Sequence, residues 1–252
     1  MSKQYGKLDL RCMDCMDLMK EYPDNHFDLA IVDPPYGIGE SVKKRENTVS
    51  DKWKSPTKKI HNPKEWDSKP PSQDYFDEVF RVSKSQIIWG GNYLIDKIKR
   101  PSMGWIFWDK KNGDSDFSDG ELAYTSFKKG LRKFEWLWNG FQKQNKEHRI
   151  HPTQKPVALY KWLLENYGKS ECKKCRGCGK AMGSCGDAVP CERCNETGIY
   201  HAKILDTHLG SGSIAIACYY MGFDLTGSEL DPDYFKAMQE RIDKETRQME
   251  LF

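Results

Sequence analysis

Apolar and polar residues alternate over positions 7–12, the period of a half-buried strand, and the spacing turns helical over 15–22. Phe27–Val32 is an apolar run between turn formers, which predicts a buried strand. Ser72 opens a helix over Gln73–Val82, and positions 86–90 form a short strand that ends in Gly90-Gly91-Asn92. Three strands follow without helices between them, at 104–109, 121–127 and 133–138, so an antiparallel edge is expected in this half of the sheet. Helical spacing returns over 157–167 behind Pro156, and 203–206 is a strand again. It runs into a Gly/Ser turn at 207–213 and an apolar helix at 214–221, then a strand at 223–228 and an amphipathic helix at 231–247. Strands and helices in alternation predict an α/β fold with a mostly parallel sheet.

Charge departs from this rhythm in two places. The net charge of +3 on 252 residues does not by itself mark a nucleic-acid binder, but it is unevenly placed. Positions 41–70 hold nine Lys or Arg against four acids, with Trp53 and Trp66 among them and little periodicity. Within 128–149, seven Lys or Arg stand against Glu135 and Glu147, interleaved with Phe134, Trp136, Trp138 and Phe141. Basic residues mixed with aromatic ones suit nucleic acid, so 41–71 is a candidate DNA contact and 128–150 a candidate target-recognition stretch. A solvated loop and a half-buried strand explain the same two patterns in purely structural terms. No apolar run reaches 18 residues and positions 1–7 lack the apolar core of a leader, so a cytoplasmic protein without a membrane segment is expected, nucleoid-associated if bacterial or phage-encoded.

The chemistry gathers at strand ends. Asp33-Pro34-Pro35-Tyr36 follows Phe27–Val32, and in open α/β sheets ligands bind at the carboxyl ends of strands. Two prolines stiffen the backbone, so the Asp33 carboxylate, two carbonyls and the Tyr36 phenol form a fixed array. Downstream, the strand at 203–206 ends on Asp206, the turn carries Gly210-Ser211-Gly212, and Glu229 stands at the end of the next strand, 17 residues after Gly212. Such a turn admits a ligand close to the backbone, and an acid on the second strand accepts from ribose hydroxyls. The third glycine of a dinucleotide fingerprint and a Walker lysine are both missing, which disfavours NAD and nucleoside triphosphates.

In combination, the tetrapeptide at 33–36, His151-Pro152-Thr153-Gln154-Lys155-Pro156, the turn from Asp206 to Gly212, and Glu229 resemble the S-adenosylmethionine-dependent DNA amino methyltransferases. Their order is similar to that of the circularly permuted β group, in which the catalytic tetrapeptide precedes the methionine-binding turn. The resemblance covers 7–165 and 203–247. It implies a Rossmann-like methyltransferase fold in which the strand at 203–206 lies beside Phe27–Val32. It further implies that Asp206, Leu209, Gly210, Ser211, Gly212 and Ser213 surround the methionine part of S-adenosylmethionine, that Glu229 holds the ribose, and that Asp14 accepts from the adenine amino group. Thr153, Lys155 and Pro156 would lie near the methionine carboxylate, and Asp33, Pro34, Pro35 and Tyr36 would be the catalytic set. Thr207-His208 departs from the family's usual Pro-Phe, which favours packing as the role of His208.

An exocyclic base amine is a poor nucleophile because its lone pair is delocalised into the ring. The Asp33 carboxylate and the Pro34 carbonyl would accept from its two N–H groups and turn the lone pair toward the sulfonium methyl. The base would be turned out of the duplex and stacked on Tyr36. Asp in the first position resembles the adenine-specific members, so adenine-N6 methylation of double-stranded DNA is expected. Cytosine-N4 methylation, and a zinc-dependent nucleic-acid-binding protein with an inactive methyltransferase fold, are the competing readings. A homodimer and a cognate restriction endonuclease are partners that the sequence leaves open.

Six of the nine cysteines fall between Cys172 and Cys194. Cys172 with Cys175, and Cys191 with Cys194, have the spacing of two hairpins that offer four thiolates to one Zn2+, and the segment resembles the glycine-rich zinc hairpins of J-domain chaperones. A structural zinc-binding insertion at 169–201 is expected. Cys175 and Cys178 also form a CxxC pair, so the ligand register and the role of Cys185 stay open.

Overall fold

Phe27–Val32 is apolar at every position except Asp28, and both of its faces are covered. Leu29 and Ile31 join one core layer while Ala30 and Val32 join the other, the period-2 signature of a strand packed on both sides. This strand is β2, at the middle of an eight-stranded sheet. The protein is described by a computed structural model over residues 5–38, 69–113, 118–138, 147, 150–151, 153–182 and 188–247. Nearly all of the basic 41–71 stretch, much of 128–150 and Cys185 lie outside the described residues.

In chain order, β1 (Leu8–Cys12), α1 (Cys15–Lys20) and β2 lead to α2 (Gln73–Val82), β3 (Ser83–Trp89), a short α3 (Ile95–Ile98), β4 (Trp105–Asp109), β5 (Gly120–Thr125) and β6 (Arg132–Glu135). After α4 (Val157–Leu163), the helix widens into a π turn at Leu164–Gly168, where Gly168 packs on the Phe223 ring. Four short strands follow, β7 (Lys169–Glu171), β8 (Lys180–Met182), β9 (Ala188–Pro190) and β10 (Ile199–His201), and then β11 (Ile204–Asp206), α5 (Ser213–Met221), β12 (Leu225–Glu229) and α6 (Pro232–Arg247). The main sheet runs β1-β12-β11-β2-β3-β5-β4-β6. Every pairing is parallel except the two that β5 makes, with β3 and with β4. The antiparallel pairing thus falls in the expected half of the sheet but one step inside it, and the outermost strand β6 runs parallel to β4.

The two faces carry separate helices. Leu18, Met19, Phe76, Val79 and Ile98 from α1, α2 and α3 cover one, and Leu159, Leu163, Ile214, Ala217 and Met238 from α4, α5 and α6 cover the other. Although β11 lies far down the chain, it pairs directly with β2 (Ile204 opposite Leu29, Leu205 opposite Ala30), so the carboxyl ends of both strands meet at one edge. The cysteine-bearing insertion leaves the sheet at the other end. Its β7 and β10 pair antiparallel, and β10 feeds the amino end of β11. There Tyr200 Oη donates to Asp28 Oδ2 at 2.6 Å, the Lys203 amide donates to the same oxygen at 3.0 Å, and the His201 ring stacks on Phe223 at 4.4 Å.

Candidate active site and metal centre

Because β1, β12, β11, β2 and β3 are parallel, Cys12, Glu229, Asp206, Val32 and Trp89 all end at one edge, and the loops that follow them build the site. Asp33 follows β2 directly. Its Oδ1 accepts from Tyr36 Oη at 2.5 Å, and its Oδ2 is paired with Lys155 Nζ at 2.5 Å. The Lys155 side chain is 3% exposed and also lies 3.0 Å from Glu121 Oε2, while Glu121 Oε1 meets Lys110 Nζ at 2.6 Å. Burial disfavours the Lys155 ammonium, but the carboxylates of Asp33 and Glu121 outweigh it and raise the Lys155 pKa above its ordinary value. Burial would likewise raise Glu121, yet Lys155 and Lys110 bring it down to about 2. Both groups are therefore charged at neutral pH.

Tyr36 is fixed on its aromatic side as well. Its ring lies so close to Gly90, at a positive φ of 68°, that a Cβ there would fall 2.2 Å from the ring. The exposed Tyr93 stacks on it at 5.4 Å with planes 19° apart. Burial, with Asp33 nearby, raises the Tyr36 phenol well above its ordinary pKa, so it donates rather than ionises.

The glycine turn is braced from three sides. The Gly210 amide donates to Glu229 Oε2 at 2.9 Å, and Glu229 Oε1 accepts from the Asp231 amide at 3.0 Å. Arg241 of α6, its side chain 5% exposed, donates to the Ser211 carbonyl at 2.8 Å and to Ser213 Oγ at 2.9 Å, and pairs with Glu147 at 3.2 Å. Asp206 is buried and accepts from the His208 amide at 3.0 Å, while Thr207 Oγ1 shares hydrogen bonds with Tyr75 Oη at 2.7 Å and His208 Nδ1 at 2.9 Å. Leu209 is buried beneath the turn, and Asp14 caps α1 by accepting from the Met16 amide at 2.7 Å. Above Gly210, a Cβ would meet nothing closer than 3.9 Å, so the turn has an open side. An acid at each strand end around an open glycine turn fits the amino acid and ribose parts of S-adenosylmethionine.

The 151–156 segment joins the two halves. His151 lies against Gly210 and its ring packs on Tyr234 at 4.5 Å, whereas Lys155 reaches Asp33. Thr153 is exposed and bonded to His151 Nδ1 at 3.1 Å, and Pro156 occupies the N-cap of α4. Sequence reasoning did not single out Glu121, Tyr93, Tyr75 or Arg241. Gly90-Gly91-Asn92 at a strand's end was the one available signal for Tyr93, and a lone Glu on an antiparallel strand gave none for Glu121.

In the insertion, Cys172, Cys175, Cys191 and Cys194 are buried, with all four Sγ atoms within 4.8 Å of one another. The Cys172–Cys191 and Cys175–Cys194 Sγ separations are 3.9 and 3.6 Å. Tetrahedral Zn2+ with bonds of about 2.3 Å sets its sulfurs about 3.8 Å apart, so the donors fit. The register also follows from an internal repeat. Cys178 Sγ donates to the carbonyls of Cys175 and Lys180 at 2.9 and 3.1 Å, as Thr197 Oγ1 does to those of Cys194 and Ile199 at 2.6 and 3.1 Å. The amides of Cys172 and Cys191 bond reciprocally to the carbonyls of Gly198 and Gly179. Cys178 thus stands where the other half has threonine, outside the four-sulfur cluster.

A family model described as DNA methylase, of the N6/N4 type, matches residues 92–240, downstream of the tetrapeptide. The chain is 24% identical over 277 aligned positions to the type II methyltransferase M.HpaI of Haemophilus parainfluenzae, spanning 94% of this chain and 74% of that one. It is 22% identical to the putative methylase YubD of Escherichia coli strain K12, spanning 94% and 91% of the two chains. The solved structure of PvuII DNA methyltransferase, cytosine-N4-specific, matches with a TM-score of 0.50 at 10% identity over 97% of this chain and 92% of that one, which shows a common fold.

Proposed function

The chain belongs to the N6/N4 DNA methylase family, and we propose that it transfers a methyl group from S-adenosylmethionine to the N6 amino group of adenine in a base turned out of double-stranded DNA. The observation that carries the reading is the Asp33 carboxylate, held by Tyr36 and Lys155 at the carboxyl end of β2 and next to the strand that bears the glycine turn. A carboxylate has about four lone-pair sites. Two are used here, so acceptor capacity remains for a substrate N–H.

S-adenosylmethionine supplies an activated methyl on its sulfonium when bound. Asp206, Leu209, Gly210, Ser211, Gly212 and Ser213 would hold its methionine part, Glu229 its ribose and Asp14 its adenine, with Thr153 and Pro156 at the rim. Asp33 and the Pro34 carbonyl accept from the substrate amine, localise its lone pair and offset the positive charge that grows on nitrogen. Pro35 keeps the array stiff, and Tyr93 gives up its place on the Tyr36 ring to the extrahelical base. Asp33 acts as an acceptor that orients the amine, since its carboxylate already bonds a phenol and an ammonium; the methylated amine then sheds its extra proton to solvent, leaving S-adenosylhomocysteine and N6-methyladenine. Asp rather than Ser at the head of the tetrapeptide supports adenine, and a tetrapeptide upstream of the glycine turn, on a strand that neighbours it, supports the permuted β group. Zn2+ would be held by Cys172, Cys175, Cys191 and Cys194 as a closed site without chemistry of its own.

Incubation with methyl-labelled S-adenosylmethionine and duplex DNA, followed by nucleoside analysis, should yield N6-methyladenine, and Asp33→Ala should lower kcat roughly a hundredfold or more. Label confined to N4-methylcytosine would move the substrate to cytosine. DNA affinity without turnover in either form would mark an inactive binder.

A further inference from the structure

Lys155 is a fully enclosed ammonium set between two carboxylates, and the far one has no place in the sequence motifs. Glu121 reaches it because β5 is antiparallel. With Trp89 opposite Ala123, β5 begins beyond the carboxyl end of β3, and its first residues stand at the edge where Asp33 lies. A parallel strand in that position would present its last residues instead. The result is an alternating chain of charges, Asp33, Lys155, Glu121 and Lys110, with separations of 2.5, 3.0 and 2.6 Å. The Lys155 ammonium also lies 5.3 Å from the Trp89 ring centre and 3.3 Å from Tyr36 Oη.

We propose that Glu121 is a positioning residue for methyl transfer, sharing the Lys155 ammonium with Asp33 so that Asp33 keeps acceptor strength for the substrate amine. The inference rests on the reading of Asp33 as that acceptor. A buried ammonium paired with Asp33 alone would draw the carboxylate's electron density toward itself. It would also stand close to an amine that becomes cationic as the methyl arrives, and like charges in a site shielded from water repel strongly. Glu121 corrects both effects. Its Oε2 stands 3.0 Å from the ammonium and is in no hydrogen bond, so it draws the ammonium by charge and places a second negative charge behind it, while Lys110 neutralises the remaining oxygen of Glu121. The geometry also provides a receiving site, since Lys155 can shift toward Glu121 as Asp33 turns to the base.

The test is a double-mutant cycle on the full chain with duplex DNA, read as single-turnover rate and kcat, with S-adenosylmethionine affinity measured by calorimetry. Glu121→Gln should lower kcat on the order of tenfold to a hundredfold. Cofactor affinity should stay within about twofold, because the change acts on the transition state. In a Lys155→Met background the same substitution should cost less than about twofold, because its route to Asp33 is gone. Glu121→Asp should recover part of the rate. A wild-type kcat in folded Glu121→Gln, or equal losses in both backgrounds, overturns the proposal. If Glu121→Gln does not fold, Glu121→Asp carries the same cycle, and a loss that fails to shrink in Lys155→Met is the contrary result. Turnover by Asp33→Ala would instead remove the underlying reading, whereas an inactive Asp33→Ala beside a fully active Glu121→Gln would remove only the role of Glu121.

Discussion

Asp206 ends β11 with 2% of its surface exposed, and burial pushes its carboxyl pKa up to about 8 against the pull of the His208 amide. The unfolded chain releases this proton near pH 4, so between about pH 4 and 8 the folded state holds a proton that the unfolded state lacks. Stability from this group is therefore lost as pH rises through that span. His208 works in the opposite sense. Desolvation lowers its imidazole to about 4, so its contribution is lost as pH falls from about 6.5 toward 4. Between about pH 6.5 and 8, only Asp206 of the two changes charge. Urea titrations across that window should show stability falling with pH in the wild type and a flatter profile in Asp206→Asn. An identical slope in the variant would mean that Asp206 is already ionised in the folded protein.

Among the elements, α6 has a role that its amphipathic pattern does not announce. Its buried Arg241 ties the Ser211 carbonyl and Ser213 Oγ to Glu147, whose carboxylate also accepts from the Val157 amide at 3.2 Å. One guanidinium thus fixes the glycine turn against the start of α4. Arg241→Met should destabilise the protein by roughly 2 kcal/mol, because the Ser211 carbonyl and Ser213 Oγ lose a buried, charged hydrogen-bond donor. It should also weaken S-adenosylmethionine binding, through a looser turn. Thermal melting and cofactor calorimetry read the two effects, and unchanged cofactor affinity in the folded variant would confine Arg241 to stability. This contact joins positions 94 residues apart, which is why local spacing did not reveal it. Local pattern did reveal β2, α2, β11 and the glycine turn, where apolar runs and turn residues coincide. It also put Asp33, Asp206 and Glu229 at strand ends, because those ends are punctuated by polar residues. It overran β5 and β6: Phe127 adds an apolar residue after β5 stops at Thr125, and Trp136 and Trp138 continue the alternation of Phe134 after β6 stops at Glu135. It extended α4 as an α-helix through a π turn whose extra residue leaves apolar spacing nearly unchanged. The pairing of Lys155 with Glu121 depends on the direction of β5, a property of the whole sheet.

At the scale of the molecule, the sheet separates two functions by its polarity. All the candidate catalytic and cofactor groups lie at or beyond its carboxyl edge, while the four-cysteine insertion joins at the amino edge through β10, Tyr200 and Asp28. The six residues of β2 set these edges about 20 Å apart. A metal held there can order the insertion and steady the root of β11, yet it is remote from the methyl-transfer geometry. Metal analysis should find one zinc per chain in the wild type and in Cys178→Ser, whose thiol lies outside the cluster, and none in Cys191→Ser. Removing the metal with a chelator should lower the melting temperature, since ligation energy is folding energy for so small a module. The methylation rate per folded molecule at 25 °C should stay within about twofold of the loaded protein, because the chelated insertion loosens at the far edge. A rate that falls in step with zinc content while the main sheet remains folded would show that order in the insertion passes along β11 to Asp206 and the glycine turn, and the two edges would then have to be treated as one coupled unit.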